Sequence, residues 1–308
     1  MADFPRSLQA FQQHFPDADA CAAYLAKQRW PDGFVCPHCG HEKGWRLATK
    51  PWTYECAGCR RQTSVTAGTV MHGSKLSLTT WFWAAYLMAS HSNGISALQL
   101  QHQLGIGTYR AAWLMTHKLR RAMRDPDRAE LAGVVEVDET TLPQRTKQEP
   151  VAGGRGRSHQ GKMLVAGAIE VVDGRPERVR LEHIKDYSAD TLHGFLNRNL
   201  TPGTTAQTDA WAAYPGAPGV IHEPYTIGPM AAHIVLPWIH RVFANLKAWS
   251  VGVYHGLRRR HLQAYLDEFV FRFNRRYARH AAFRRLLGLG AKVEPITYNM
   301  LVKPEAGA

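Results

Sequence analysis

Residues 134–140 read Val134-Val135-Glu136-Val137-Asp138-Glu139-Thr140, a β-branched run that carries three acids. β-branched residues favour a pleated strand, and a strand interior is a costly place for a carboxylate unless something positive meets it. Side chains alternate along a strand, so Glu136 and Asp138 share one face and Glu139 points to the other. Downstream, residues 163–172 (MLVAGAIEVV) and 179–184 (VRLEHI) read as two more strands around the turn Asp173-Gly174-Arg175-Pro176. Ser188 then caps a helix that runs to about Leu200, and residues 204–208 form a short strand that ends on Asp209.

Three strands, a helix, a strand and then helices predict a three-stranded meander followed by α/β crossovers. One acid sits on the first strand and another at the end of the fourth. That is the RNase H-like (retroviral-integrase-like) layout, in which carboxylates from separate elements hold two divalent metals. Two metals about 3.5–4 Å apart activate an attacking oxygen and stabilise a leaving one at a phosphodiester. Oxygen ligands suit Mg²⁺ or Mn²⁺.

Upstream, four of the five cysteines fall as Cys36-Pro37-His38-Cys39 and Cys56-Ala57-Gly58-Cys59, two C-x2-C pairs separated by sixteen residues. Each pair forms a tight turn that chelates, and two such knuckles complete a tetrahedral zinc site. Gly40 and Gly58 are expected to supply the backbone freedom of the turns. Disulfides are disfavoured, because the N-terminus shows no basic segment followed by an apolar run and no secretory signal is expected. Four thiolates make a closed, structural site. The remaining cysteine, Cys21, reads as a small core residue.

Between the ribbon and the acidic strand, residues 78–124 are patterned as helices. The first ends near Asn93-Gly94, a short one opens at Ser96 and ends at Gly105, and a basic one follows Thr108. Helix, turn with glycine and longer basic helix is the helix-turn-helix order. Arg110, Lys118, Arg120 and Arg121 are candidate DNA contacts on the last helix.

The chain of 308 residues has 38 Lys+Arg against 25 Asp+Glu, a formal charge of +13. Its 45% apolar content excludes a fully disordered chain, and the charge points to a polyanionic partner. No run of eighteen apolar residues suggests a membrane span, so a cytoplasmic, DNA-associated protein without a membrane partner is expected. Part of the charge lies in a Gly/Arg loop with Arg155 and Arg157. More lies in residues 251–285, with nine Arg against Asp267 and Glu268. Within it Arg272, Arg275, Arg276 and Arg279 are spaced i, i+3, i+4, i+7 and predict one basic helix face. Together with Arg258, Arg259 and Arg260 they are candidate phosphate contacts.

Several of these stretches together resemble a known family: CPHCG…CAGC, TAGTVMHGSKLSLTTWFWAAYLM, VEVDET, TDAWAAY and HRVFANLKAW…GVYHGLRRRHLQAYLDEFVFRFNRR. From about Phe11 to Arg285 the chain is similar to DDE-type insertion-sequence transposases of the ISXO-like group. The resemblance implies a multidomain α+β protein: a helical segment (1–30), a zinc ribbon (31–68), a helix-turn-helix-like segment (74–126), an RNase H-like catalytic domain (130–290) and a tail (291–308). It implies a DNA transposase that binds the inverted-repeat ends of its element, cuts and joins DNA with Mg²⁺ or Mn²⁺, carries structural Zn²⁺, and works as a homodimer or higher oligomer.

By the same resemblance Asp138 and Asp209 match the first two catalytic aspartates. The third position departs. Relatives have Glu followed seven residues later by Lys, whereas Lys247 here is preceded by His240. On a helix His240 and Lys247 lie about 20° apart, and Asn245 about 140° from His240. His240 is the first candidate for the third ligand, with Asn245, Glu268, Glu136 and Glu139 as alternatives. Lys247 is expected beside the metals as a phosphate or base contact. Two other readings remain open at this point, a structure-specific nuclease of the same fold and a catalytically dead, transposase-derived DNA-binding regulator.

Overall fold

A computed structural model describes residues 5–145, 161–225 and 232–302. The chain divides into two compact units, Pro126–Arg276 on one hand and Met1–Asp125 with Tyr277–Ala308 on the other.

The first unit opens with α1 (Leu8–His14) and α2 (Ala18–Arg29), capped by the side chains of Ser7 and Asp17. A three-stranded antiparallel ribbon follows, β1 (Gly44–Arg46), β2 (Thr53–Cys56) and β3 (Gln62–Ser64). Then come α3 (Leu78–Ser90), α4 (Ala97–Gln103) and α5 (Tyr109–Met123), each with an N-cap hydroxyl (Ser77, Ser96, Thr108) accepting from a backbone N–H three residues on. Gly105, in the left-handed region at φ 62°, makes the turn between α4 and α5, giving the expected helix, turn, helix order.

The second unit holds β4 (Val134–Pro143), β5 (Lys162–Val172), β6 (Arg175–Ile184), α6 (Ala189–Asn199), β7 (Thr205–Thr208), β8 (Ile221–Pro224), α7 (Ala232–Val235), α8 (Pro237–Tyr254) and α9 (Leu262–Phe273). Its sheet order is β6-β5-β4-β7-β8. The first three strands are antiparallel, and β7 and β8 run parallel to β4. A meander extended by parallel strands beside its first member is the RNase H-like arrangement. The β5–β6 hairpin closes on Asp173-Gly174, both at positive φ, the two-residue turn that matches strand twist. Strand β8 has no counterpart in the sequence expectation, because its four residues (IHEP) are largely exposed and show no apolar alternation.

Alternation along β4 divides the core of this unit. Val135 and Val137 pack with Leu192, Phe195 and Leu196 of α6 on one face. On the other face Ile239, Val242, Phe243 and Leu246 of α8 lie over Met163, Val165 and Ile169 of β5. Those α8 residues recur at helical spacing and form one apolar stripe.

The C-terminal region departs from expectation in two ways. No single basic helix covers 251–285: α9 ends at Phe273, and Asn274 bridges to β6, its Oδ1 accepting from Val179 N (2.8 Å) and its Nδ2 donating to Val179 O (3.2 Å). The chain resumes as α10 (Arg279–Gly290) and then α11 (Tyr298–Val302). The second unit therefore closes at Arg276 rather than at residue 290. Helix α10 belongs to the first unit, where Phe283 joins an aromatic cluster with Phe11 (5.4 Å), Tyr86 (5.9 Å) and Phe82 (6.0 Å).

Candidate active site

Strand β4 lifts Asp138 onto the face that meets α8. Where β4 and β7 pair, Val134, Val135 and Glu136 stand opposite Thr205, Ala206 and Gln207. The pairing ends at Glu136 and Gln207, two residues short of Asp138 on β4 and of Asp209, the residue that follows β7. The next residue, Ala210, takes φ 63°, and the Asp209 carboxylate accepts from Trp211 N at 3.1 Å. Asp138 is buried, with Glu139 N donating to its Oδ1 at 2.7 Å. Its Oδ2 faces the imidazole Nε2 of His240, on α8, at 3.3 Å. Asp138 and His240 thus face each other between β4 and α8, while Asp209 stands just past the end of β7, the strand that pairs parallel with β4. Oxygen and nitrogen donors of this kind fit Mg²⁺ or, with imidazole present, Mn²⁺.

Glu136, on the same face as Asp138, is buried and accepts from Trp238 N (2.9 Å) and Ile239 N (2.8 Å) at the start of α8. Burial pushes its carboxyl above the usual range, against the downward pull of these two bonds. Glu139 points the other way, as alternation requires, and accepts a very short hydrogen bond from the Tyr214 hydroxyl. Tyr214 is fully buried. Burial first, then the acids Glu139, Asp138 and Asp209, hold its phenol well above the ordinary 10. Its place beside the acids went unread in the sequence, although it closes the TDAWAAY stretch, and an aromatic hydroxyl five residues after a strand-end aspartate was the available signal.

Two further candidates for the third position, Asn245 and Glu268, and the expected phosphate contact Lys247 lie elsewhere. Asn245 and Lys247 are exposed on α8. Glu268 is fully buried on α9, where the Tyr254 hydroxyl donates to it at 3.1 Å and Arg272 stands 3.9 Å away.

In the ribbon, the Sγ atoms of Cys36, Cys39, Cys56 and Cys59 lie within 4.8 Å of one another, the one such ligand cluster among the described residues. Cys36 and Cys59 are 3.7 Å apart, and Cys39 and Cys56 3.6 Å. A zinc ion with Zn–S bonds of about 2.3 Å requires sulfur–sulfur edges of about 3.8 Å, so the cluster fits structural Zn²⁺. The knuckles are built alike. Gly40 N donates to Cys36 O (2.9 Å) and Arg60 N to Cys56 O (3.1 Å). The left-handed residues are Gly40 (φ 73°) and Arg60 (φ 59°), so in the second knuckle Arg60, not Gly58, makes the turn. The aromatic rings of Trp30, Phe34 and Tyr54 pack beside the cluster.

The expected DNA contacts divide into exposed and engaged side chains. Arg110 and Arg121 are exposed on α5, with Arg110 stacked over the Tyr298 ring at 3.8 Å. Lys118 and Arg120 are buried: Lys118 donates to His72 O at 3.0 Å and Arg120 to Thr116 Oγ1 at 3.3 Å. Arg258, Arg259 and Arg260 are exposed, Arg259 donating to Lys162 O at 2.8 Å. Arg272 pairs with Glu268, and Arg275 lies over the Phe271 ring at 4.0 Å. Arg276 donates to Glu177 O at 3.0 Å. These three hold the end of α9 in place and do not line up with Arg279 as one face. Arg155 and Arg157 lie outside the described residues.

A cysteine-tetrad ribbon together with an RNase H-like unit makes a zinc-ribbon transposase architecture. The chain carries the domains of that family: residues 130–274 match the ISXO2-like transposase domain, and residues 16–62 the transposase zinc-ribbon domain. An uncharacterized protein in transposable element ISH50 of Halobacterium salinarum is 31% identical over 147 residues, which is 46% of this chain and 48% of that protein. The chain thus spans about half the length of this relative. A chain of the pre-cleavage Mos1 transpososome aligns at TM-score 0.30 and 11% identity, over 66% of this chain and 76% of its own. No helix among the described residues is long and apolar enough to cross a membrane.

Proposed function

We propose that the protein is a DNA transposase that binds the inverted-repeat ends of its own element, cleaves there and transfers the strand to target DNA. The observation that carries this reading is the 3.3 Å contact of Asp138 on β4 with His240 on α8, with Asp209 following β7, the strand that pairs parallel with β4. Asp138, Asp209 and His240 would hold the divalent ions. When bound, the ions supply charge stabilisation for in-line displacement at phosphorus. Asp138 and Asp209 orient the reacting centre, and buried Glu136 and Tyr214 keep their strands and helix in place. Lys247, exposed on the same helix as His240, serves as a phosphate contact.

The zinc ribbon and the helix-turn-helix segment read the element ends, and the exposed Arg110, Arg121, Arg258, Arg259 and Arg260 contact the backbone. Joining two ends calls for at least a dimer. Arg155 and Arg157 of the Gly/Arg stretch add further charge in the sequence.

The test is cleavage of a labelled element-end duplex with Mg²⁺ or Mn²⁺, followed by strand transfer into a target plasmid. Wild type should perform both, and Asp138→Asn and Asp209→Asn should perform neither while still binding the duplex. Cleavage that survives both substitutions sinks the reading. Cleavage without strand transfer would make the protein a nuclease, and binding without any cleavage a regulator.

A further inference from the structure

Helix α8 begins without a side-chain cap of its own. Its N-cap residue is Leu236 and its first residue is Pro237, which has no N–H to satisfy. The next two N–H groups, of Trp238 and Ile239, both donate to Glu136 Oε2 across 102 and 103 residues of sequence, and His240 N donates to Leu236 O at 3.3 Å. A buried carboxylate from the sheet thus caps the helix, and the partial positive charge of the helix N-terminus favours it there. Glu136 and Asp138 stand two residues apart on one strand face, about 7 Å along it. Ile239 and His240 are neighbours on the helix. The two carboxylates of β4 therefore engage adjacent residues of α8, one through the backbone and one through the ring.

A second feature fixes how close the helix comes. Gly167 of β5 is the direct cross-strand partner of Asp138. A Cβ built there would fall 2.6 Å from Phe243 Cε1 and 2.9 Å from Ile239 Cδ1. Both side chains are buried against the sheet, so neither has open space into which to swing. Ile239 and Phe243 are one helical turn apart and straddle Gly167, with His240 between them in sequence.

We propose that Glu136 is a positioning residue of the acid site: its carboxylate, by holding the start of α8 on β4, sets His240 against Asp138, and the missing side chain at Gly167 lets the helix come close enough to do so. This rests on the acid site holding divalent metal as read above. Glu136 binds no ion itself. It acts through the helix, and its bond to two amides needs an acceptor oxygen rather than a negative charge.

The experiment uses the full, zinc-loaded chain and measures Mn²⁺ binding without DNA by electron paramagnetic resonance, alongside cleavage kinetics. Glu136→Ala and Gly167→Ala should each weaken Mn²⁺ binding by about 10–100-fold, the range for losing the support of a metal ligand. They should lower kcat and leave KM for the duplex unchanged. Glu136→Gln, which keeps an acceptor oxygen, should restore Mn²⁺ binding most of the way to wild type.

Unchanged Mn²⁺ binding and kcat in Glu136→Ala would overturn the proposal. So would a Glu136→Gln variant as impaired as Asp138→Asn, since Glu136 would then be a ligand. If Glu136→Ala does not fold, Gly167→Ala and Glu136→Gln carry the same comparison. Asp138→Asn separates the levels: if it binds Mn²⁺ like wild type, the metal-site reading itself fails. If it loses Mn²⁺ while Glu136→Ala does not, only the positioning role fails.

Discussion

The zinc cluster and the acid site proposed above draw their side chains from the sequence in opposite ways. The cysteines come from two four-residue knuckles, and their sulfurs already lie within 4.8 Å of one another. Asp138, Asp209 and His240 come from a strand, a strand end and a helix separated by long stretches of chain. Their placement depends on sheet register and on how α8 is seated. Local assembly makes the first site part of the fold, so its metal holds the ribbon together. Long-range assembly makes the second site a product of the fold, so its residues can change with the fold intact.

The largest expected effect breaks that contrast if it fails. Stripping zinc with a strong chelator, or substituting Cys56→Ala, should unfold the ribbon, because structural zinc in small domains contributes about 10 kcal/mol or more of binding free energy. Loss of the tryptophan fluorescence signature of the native ribbon, read with Trp30 and Trp52 in place, reports it. Removing Mg²⁺ or Mn²⁺ should lower the thermal midpoint of the zinc-loaded protein only by the small amount that a reversibly bound ligand adds by mass action. A ribbon that melts unchanged after zinc is stripped would remove the distinction.

Next in size is the chemistry. Asp138→Asn or Asp209→Asn should lower cleavage by at least about 10²–10³-fold, the scale of losing one charge-stabilising group, measured in single-turnover assays. Neither should shift the thermal midpoint appreciably. A large loss of stability in these variants would mean that the acids serve the fold, as the cysteines do.

The same contrast explains what was legible. C-x2-C pairs are local, so the cysteine tetrad could be read directly, and β4 could be read because alternation is local too. Asp138 and Asp209 stand out because the order of strands and helices puts one acid on the first strand and another at the end of the fourth, and because both match the catalytic aspartates of the family the chain resembles. What local pattern does not contain is a partner far along the chain. Lys118 and Arg120 resemble solvated helix residues until His72 O and Thr116 Oγ1 take them inside. The spacing of Arg272, Arg275, Arg276 and Arg279 predicts one helix face only if Asn274 is not claimed by Val179, 95 residues away. The capping of α8 by Glu136 likewise joins residues about a hundred positions apart.

A smaller effect probes the opposite face of β4. Tyr214→Phe removes the hydroxyl that donates to Glu139 and leaves that acceptor to water, a cost of about 1–3 kcal/mol for a buried hydrogen bond. Glu139 is half-buried, so the lower end is expected, read by chemical denaturation. The Tyr214 phenol is held well above 10 by burial and by Glu139, Asp138 and Asp209. A raised pKa in the folded state stabilises fully below the unfolded value and is lost as pH climbs past it. Stability should therefore fall as pH rises above 10 in wild type and fall less steeply in Tyr214→Phe.

The smallest effect compares the two knuckles with each other. Gly40 and Arg60 occupy the same place after the second cysteine of their pairs, at φ 73° and 59°. A Cβ at Gly40 would meet nothing within 4 Å, so Gly40→Ala isolates the backbone cost of a left-handed residue, about 1 kcal/mol. Arg60 already bears that cost. Arg60→Gly relieves it but frees the unfolded chain and gives up the stacking of the guanidinium over Trp45 at 5.2 Å. Its ion pair with Glu55, at 3.6 Å, is exposed on the arginine side and contributes little. The gains and losses nearly cancel, so Arg60→Gly should leave stability within about 0.5 kcal/mol of wild type. Chelator competition for zinc should then rank Gly40→Ala below both wild type and Arg60→Gly. Equal zinc retention in all three would mean that the thiolate–zinc bonds, and not the backbone of the turns, set the stability of the knuckles.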